Sequence, residues 1–185
     1  MSFSSIRAYA RAPVFKSALT SCAVLTAGDC VTQFVQRRNS KQQGSQDWAR
    51  TARFSLLGLA LHGPYFHFGF KVVDKLMGAS TTWKSALLKT MASQVTVFPS
   101  WLVVFFSYMG VLEGQGIKGG VERVKKGFVP SFTTGMAFWP PMIMFNFMFC
   151  PLEYRVAYVG LVGIVWSSYM SWVNTAVAQP PMKSS

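Results

Sequence analysis

The chain has 185 residues, 51% hydrophobic, 15% aromatic and only 13% charged, with a mean hydropathy of +0.29 and a formal net charge of +12. Soluble domains carry about one quarter charged residues, so half of the usual solvating charge is missing, and the length leaves no room for a catalytic domain beside a membrane part. Lys and Arg fall between the apolar runs, at residues 37–38, 50–53, 71–75 and 123–126, rather than in one stripe; this argues against a nucleic-acid-binding face and for a basic collar that attracts anionic head groups such as cardiolipin.

Residues 1–16 carry Arg7, Arg11 and Lys16, and no acid precedes Asp29. A basic, Ser-containing, acid-poor start resembles a mitochondrial address. The rival reading is a secretory signal with residues 18–27 as its apolar core. Asp29, Thr32 and Gln33 follow at once, and the chain holds no N-x-Ser/Thr site, both against that route.

The first expected span is residues 17–36. Ser21, Gly28, Asp29, Thr32, Gln33 and Gln36 recur near helical spacing and predict one polar face. Asp29 is the only charge inside any expected span, and at mid-bilayer an acid costs roughly 2.5–3.5 kcal/mol. Two readings stay open for it: pairing with a donor that locks helix packing, or lining an aqueous path. Residues 37–53 read as a polar loop in which Asp47 caps the next helix and Trp48 marks the interface.

The second expected span, residues 54–70, contains Gly63-Pro64, which predicts a kink. His62 and His67 are five apart, poorly placed for one metal, so packing or a hydrogen bond to Asp29 is the expectation. The third, residues 90–112, places Ser93, Thr96, Ser100 and Ser107 on one face beside Gln94, with Pro99 at its centre. A small hydroxylated face reads as helix-packing glue or as a wetted surface.

Residues 113–130 read as a connector with a short surface helix around Glu122, Arg123, Lys125 and Lys126. Gly114, Gly116 and Gly119 match a dinucleotide fingerprint, but no strand precedes them, so the match is discounted. The fourth expected span is residues 131–150, with Pro140-Pro141 near its centre and Asn146 beyond. A fifth segment, residues 156–177, carries Gly160, Gly163, Ser167, Ser171 and Asn174 as a narrow small-residue face; whether it crosses stays open. Cys22, Cys30 and Cys150 fit no zinc spacing and read as apolar packers. Basic residues divide almost evenly between the two sides, so orientation is not readable.

The chain resembles the Mpv-seventeen/PMP family of small peroxisomal and inner mitochondrial membrane proteins, which includes Sym-one. The resemblance rests on Tyr9, Pro13 and Gly28-Asp29-x-x-x-Gln33, on Arg50-x-x-Arg53, Gly58 and His62-Gly63-Pro64-x-x-His67, and on Gln94 and Pro99. It continues through Trp139-Pro140, Asn146-Phe147, Pro151, Arg155, Trp166, Tyr169 and Ser171-Trp172. Ser93 and Ile143 stand where relatives often have Asp and Gln, making any pore here less polar. The resemblance implies the mitochondrial inner membrane, with the peroxisomal membrane as the alternative, and a link to channel-like conductance or metabolite supply.

The expected fold is therefore an all-α, polytopic helical membrane protein with four to five transmembrane helices, one membrane domain over residues 17–177 and a short polar tail at 178–185. Asp29, Gln33, His62, His67, Gln94, Asn146 and Arg155 are the candidate pore or buried polar network, with kinks at Pro64, Pro99 and Pro140. The leading expectation is a channel or solute pathway between the polar faces of the first and third spans. Asp29 would set cation preference, and Arg53 or Arg155 would hold the acid or stand at a mouth. The alternative is a non-transporting structural or assembly protein. No enzyme activity, metal or cofactor is expected. Expected partners are the bilayer with its anionic lipids, small solutes or ions, and a second copy of the chain.

Overall fold

The computed structural model describes residues 13–40, 45–78, 82–150 and 154–178, with the side chains of residues 40 and 155–157 outside the description. The 1–16 segment thus lies almost wholly outside, as does the polar tail. The first helix, α1 (Pro13–Ser40), has no proline after its first residue and ends on Arg37 and Arg38, cations that suit the negative end of the helix dipole. Asp47 starts α2 (Trp48–Leu57), its carboxylate accepting from the Arg50 N–H at 2.9 Å. The helix does not stop at Leu57. It widens into a π turn (Gly58–His62), where the Gly63 N–H bonds Gly58 O, and continues as α3 (Gly63–Met77). Pro64 has no N–H to give to a preceding carbonyl, and the wider turn before it absorbs that loss without breaking the rod.

Thr82 caps α4 (Trp83–Leu112), which stays helical through Pro99. Two glycines with positive φ, Gly114 at 77° and Gly116 at 64°, then reverse the chain directly into α5 (Gly116–Phe149). This corrects the expected 113–130 connector: Glu122 to Lys126 belong to the first turns of a 34-residue helix, not to a separate surface helix. It also accounts for the glycine match, since the left-handed turn requires Gly114 and Gly116. The helix α5 stays helical through Pro130, Pro140 and Pro141, and α6 (Arg155–Ala178) completes the chain. No strand occurs among the described residues.

The rods form a closed ring: α1 meets the α2–α3 rod, α3 meets α4, α4 packs along α5, α5 meets α6, and α6 returns to α1. The centre is filled. Phe54 and Leu57 of α2 and Leu102, Phe106 and Met109 of α4 have no exposed surface. Trp166 of α6 packs on Phe98, Phe138 and Trp139. The outside is equally apolar: Phe68, Leu88, Val95, Val129, Leu161 and Val165 are each more than half exposed, whereas Asp29, Arg123, Ser171 and Asn174 are buried. An apolar outer belt of this extent needs a lipid solvent. By length and hydropathy alone, two helices among the described residues, Pro13–Asn39 and Trp83–Leu112, are sufficient to cross a bilayer.

The first and third spans do not meet, since α1 and α4 are not neighbours in the ring. The hydroxyl face of α4 is also not inside. Thr96 and Ser100 are exposed, and Ser93, Thr96 and Ser100 donate to carbonyls of their own helix, at Lys89, Ala92 and Thr96. The expected path between those two faces is therefore corrected: hydroxyls one turn from a helix carbonyl bond within their own rod, and Ser100 also pairs with the Tyr65 hydroxyl of α3 at 2.5 Å, a helix-packing contact rather than a wetted one.

A buried ionic belt at one end of the bundle

Three helices converge on Asp29, whose side chain has no exposed surface. Arg50 Nε of α2 lies 2.7 Å from Asp29 Oδ1, and the Ser171 hydroxyl of α6 donates to the same oxygen at 2.7 Å. Gln33 Nε2, one turn along α1, and the Thr51 hydroxyl donate to Oδ2 at 2.8 and 2.7 Å. Arg50 also donates through Nη2 to Ser171 Oγ at 2.6 Å and through Nη1 to Gln36 Oε1 at 3.0 Å. Gln33 ties the cluster to the cap of α2: its Oε1 accepts from Asp47 N–H at 2.8 Å and its Nε2 donates to Asp47 O at 3.1 Å. Asp29 therefore faces an arginine, not an aqueous space.

A second pair completes the belt. Arg123 of α5 is 1% exposed and lies 2.5 Å from Glu113 Oε2, at the end of α4. Its other nitrogens donate to Gln115 Oε1 and to Asn174 Oδ1, both at 2.8 Å. Asn174 Nδ2 returns a bond to Glu113 Oε1 at 3.1 Å, and Arg53 Nε of α2 stands 4.0 Å from that oxygen. Arg50 and Arg53 are three apart on α2, and Ser171 and Asn174 are three apart on α6. Each pair shares a helix face, so α2 and α6 carry both clusters as rungs. The belt draws on α1, α2, α4, α5 and α6 at a single end.

The other expected site residues lie elsewhere. His62 does not reach Asp29; its Nδ1 pairs with Ser21 Oγ at 2.9 Å, and its ring sits edge-on to Trp101 at 4.9 Å. His67 lies beside Phe68, with Nε2 buried and without a partner among the described residues. Gln94 bridges to α5, donating to Gly135 O at 3.4 Å, while its Oε1 and Asn146 Oδ1 are buried without a partner among the described residues. Arg53 holds Glu113 rather than Asp29, and Arg50 takes the role expected of it. The Arg155 side chain lies outside the described residues. The small-residue face of α6 is used unevenly: Ser167, Ser171 and Asn174 are buried, but Gly160 meets nothing within 4 Å among the described residues. Sequence reasoning missed Arg50 as the partner, and Thr51, Glu113 and Arg123 altogether; the three-residue spacings on α2 and α6 were the available signal. No group of three metal-ligating side chains occurs among the described residues.

A ring of helices with an apolar exterior and buried ion pairs defines an all-α integral membrane protein. Comparison with known proteins places it further. Residues 110–171 match the model of the Mpv17 / PMP22 family. The chain is 33% identical to the mitochondrial inner membrane protein Mpv17 of Danio rerio, over 83% of this chain and 85% of that one. It is 32% identical to protein sym-1 of Neurospora crassa, over 88% and 92% respectively. It is 32% identical to Mpv17 of Rattus norvegicus, over 90% and 95%. The chain belongs to the Mpv17/PMP22 family and is a mitochondrial inner membrane protein. No solved structure matches it.

Proposed function

We propose that all five rods cross the inner membrane and that the bundle is a solute pathway in its closed state, with the ionic belt as the closure. One observation carries this: five of the six rod segments send polar or ionised groups to one end, where Asp29 and Arg123 are wholly buried. Burial of ion pairs adds little to stability over apolar packing of the same shape, yet such pairs can be exchanged for water when helices separate. Separation of α6 from α1 and α2 would break Arg50–Ser171, Asp29–Ser171 and Thr32–Ser168 together and wet the end of the ring. Asp29 then acts by holding the closed state, and its charge is available to a passing ion only after opening.

The test is single-channel recording of the purified protein in planar bilayers. The wild type should open rarely, and Asp29→Asn, which weakens the hold of Arg50, should raise open probability by tenfold or more. Absence of current from both proteins, or identical gating in both, would overturn the reading. A second reading, a structural protein without flux, is favoured by the full pairing of the Asp29 carboxylate. It expects loss of stability in the same variant and no current.

A further inference from the structure

Away from the ring centre, α1 and α6 leave an open groove of about 240 Å³ on the outer surface. Val31, Val35 and Gln36 of α1 and Ser168, Tyr169 and Trp172 of α6 line it. The polar groups along its floor are already engaged. The Thr32 hydroxyl donates to Ser168 O at 2.7 Å, Gln36 Oε1 accepts from Arg50, and the Tyr169 hydroxyl donates to Pro130 O at 3.1 Å. What remains accessible is hydrocarbon and indole: Val31, Val35 and Trp172 are 46, 47 and 54% exposed.

The end of the groove nearest the belt is different. Arg38 lies seven residues after Val31, on the same face of α1. Its guanidinium rests over the Phe34 ring, 5.3 Å from the centroid. Arg50, Arg53 and Arg123 each stand within 4 Å of a carboxylate, and Arg37 donates to Gln33 O and Gln46 Oε1. Arg38 is exposed and makes no ion pair among the described residues. The apolar groove thus lies between α1 and α6, and two residues beyond Gln36, its last lining residue on α1, that helix carries an uncompensated cation on the Val31 face; the groove's own Trp172 is an exposed tryptophan of the kind that marks head-group level.

We propose that this groove is a binding site for an anionic phospholipid of the surrounding bilayer, with an acyl chain between α1 and α6 and the phosphate on Arg38. The charge decides the lipid class. A choline or ethanolamine head group brings its own cation to compete with the guanidinium for the phosphate; a glycerol-type head group does not. The bound chain would bridge the same two helices that Thr32 and Ser171 join, and the site holds whether or not the protein conducts.

Acyl-chain bromines quench an indole on contact, which makes Trp172 a local reporter. The purified protein would be placed in phosphatidylcholine vesicles doped with either brominated phosphatidylglycerol or brominated phosphatidylcholine. The Trp172 signal is the difference between wild type and Trp172→Phe. The expected result is half-maximal quenching at about fivefold lower mole fraction of the anionic lipid, the preference one interfacial Arg supplies. Arg38→Gln should bring the two lipids to parity, and Arg38→Lys should keep the preference. Equal quenching by the two lipids in the wild type, or an unchanged preference in Arg38→Gln, would overturn the site. The wild-type comparison needs no variant to fold, and it reads lipid contact rather than current, so its failure is separate from failure of the pathway.

Discussion

Removing Arg50 should be more damaging than removing Asp29, although the two form one pair. In Arg50→Leu the Asp29 carboxylate keeps the bonds from Ser171, Thr51 and Gln33, all neutral donors, but has no cation and no exposed surface through which to reach water. Stranding a buried charge in this way costs about 3–5 kcal/mol. In Asp29→Leu the stranded group is a guanidinium that is 13% exposed and still bonded to Gln36 Oε1 and Ser171 Oγ. It loses its ion-pair contact but keeps two hydrogen bonds and a route to water, so its cost should be smaller, about 1–3 kcal/mol. The double variant Asp29→Leu/Arg50→Leu strands neither charge, so its loss should fall below the sum of the single losses by about 1.5 kcal/mol or more. The assay is reversible unfolding of the purified protein in mixed micelles of rising SDS content, followed by tryptophan fluorescence and circular dichroism. Equal losses in the two single variants, a larger loss for Asp29→Leu, or strict additivity in the double variant would refute the argument that burial of the carboxylate, rather than the pair as such, dominates.

Two further predictions concern the helix seams and the surface. A Cβ on Gly63 would stand 2.4 Å from Ala18 Cα, so Gly63→Ala must push α1 away from the π turn and should cost about 1–3 kcal/mol; Gly160→Ala meets nothing within 4 Å and should be neutral or stabilising by up to about 1 kcal/mol in the same unfolding assay. At the exposed start of α5, the hydrogen bond from Lys125, and then its charge, hold the Glu122 carboxyl below its usual range. Its contribution to stability is therefore present above the ordinary Glu pKa and is lost as pH falls through the depressed one. Lys125→Met should raise the Glu122 pKa toward the usual value in a carboxyl-carbon NMR titration, and an unmoved titration would contradict the pairing.

Composition and periodicity alone identified a helical membrane protein, because a bilayer excludes charge from spans and forces backbone polar groups to pair within a helix. They also marked Asp29 and Gln33, since an acid inside an apolar run and a Gln one turn later need no tertiary knowledge to stand out. The cap at Asp47 was legible for the same reason, being encoded within three residues. The partner of Asp29 was not. Arg50 and Arg53 have identical local credentials, and only the packing of α1 and α6 on one and of the α4 end on the other gives Asp29 and Ser171 to Arg50 and Glu113 to Arg53. The hydroxyl face of α4 shows the converse: its spacing allowed packing glue or a wetted surface, and only the ring order decides that Thr96 and Ser100 are exposed while Ser100 still reaches Tyr65 of α3. The turn glycines and the 34-residue length of α5 likewise depended on how α4 and α5 dock. Helix formation is a local property of the chain; which polar faces meet depends on how long rods share a ring, and that choice is made by long-range packing.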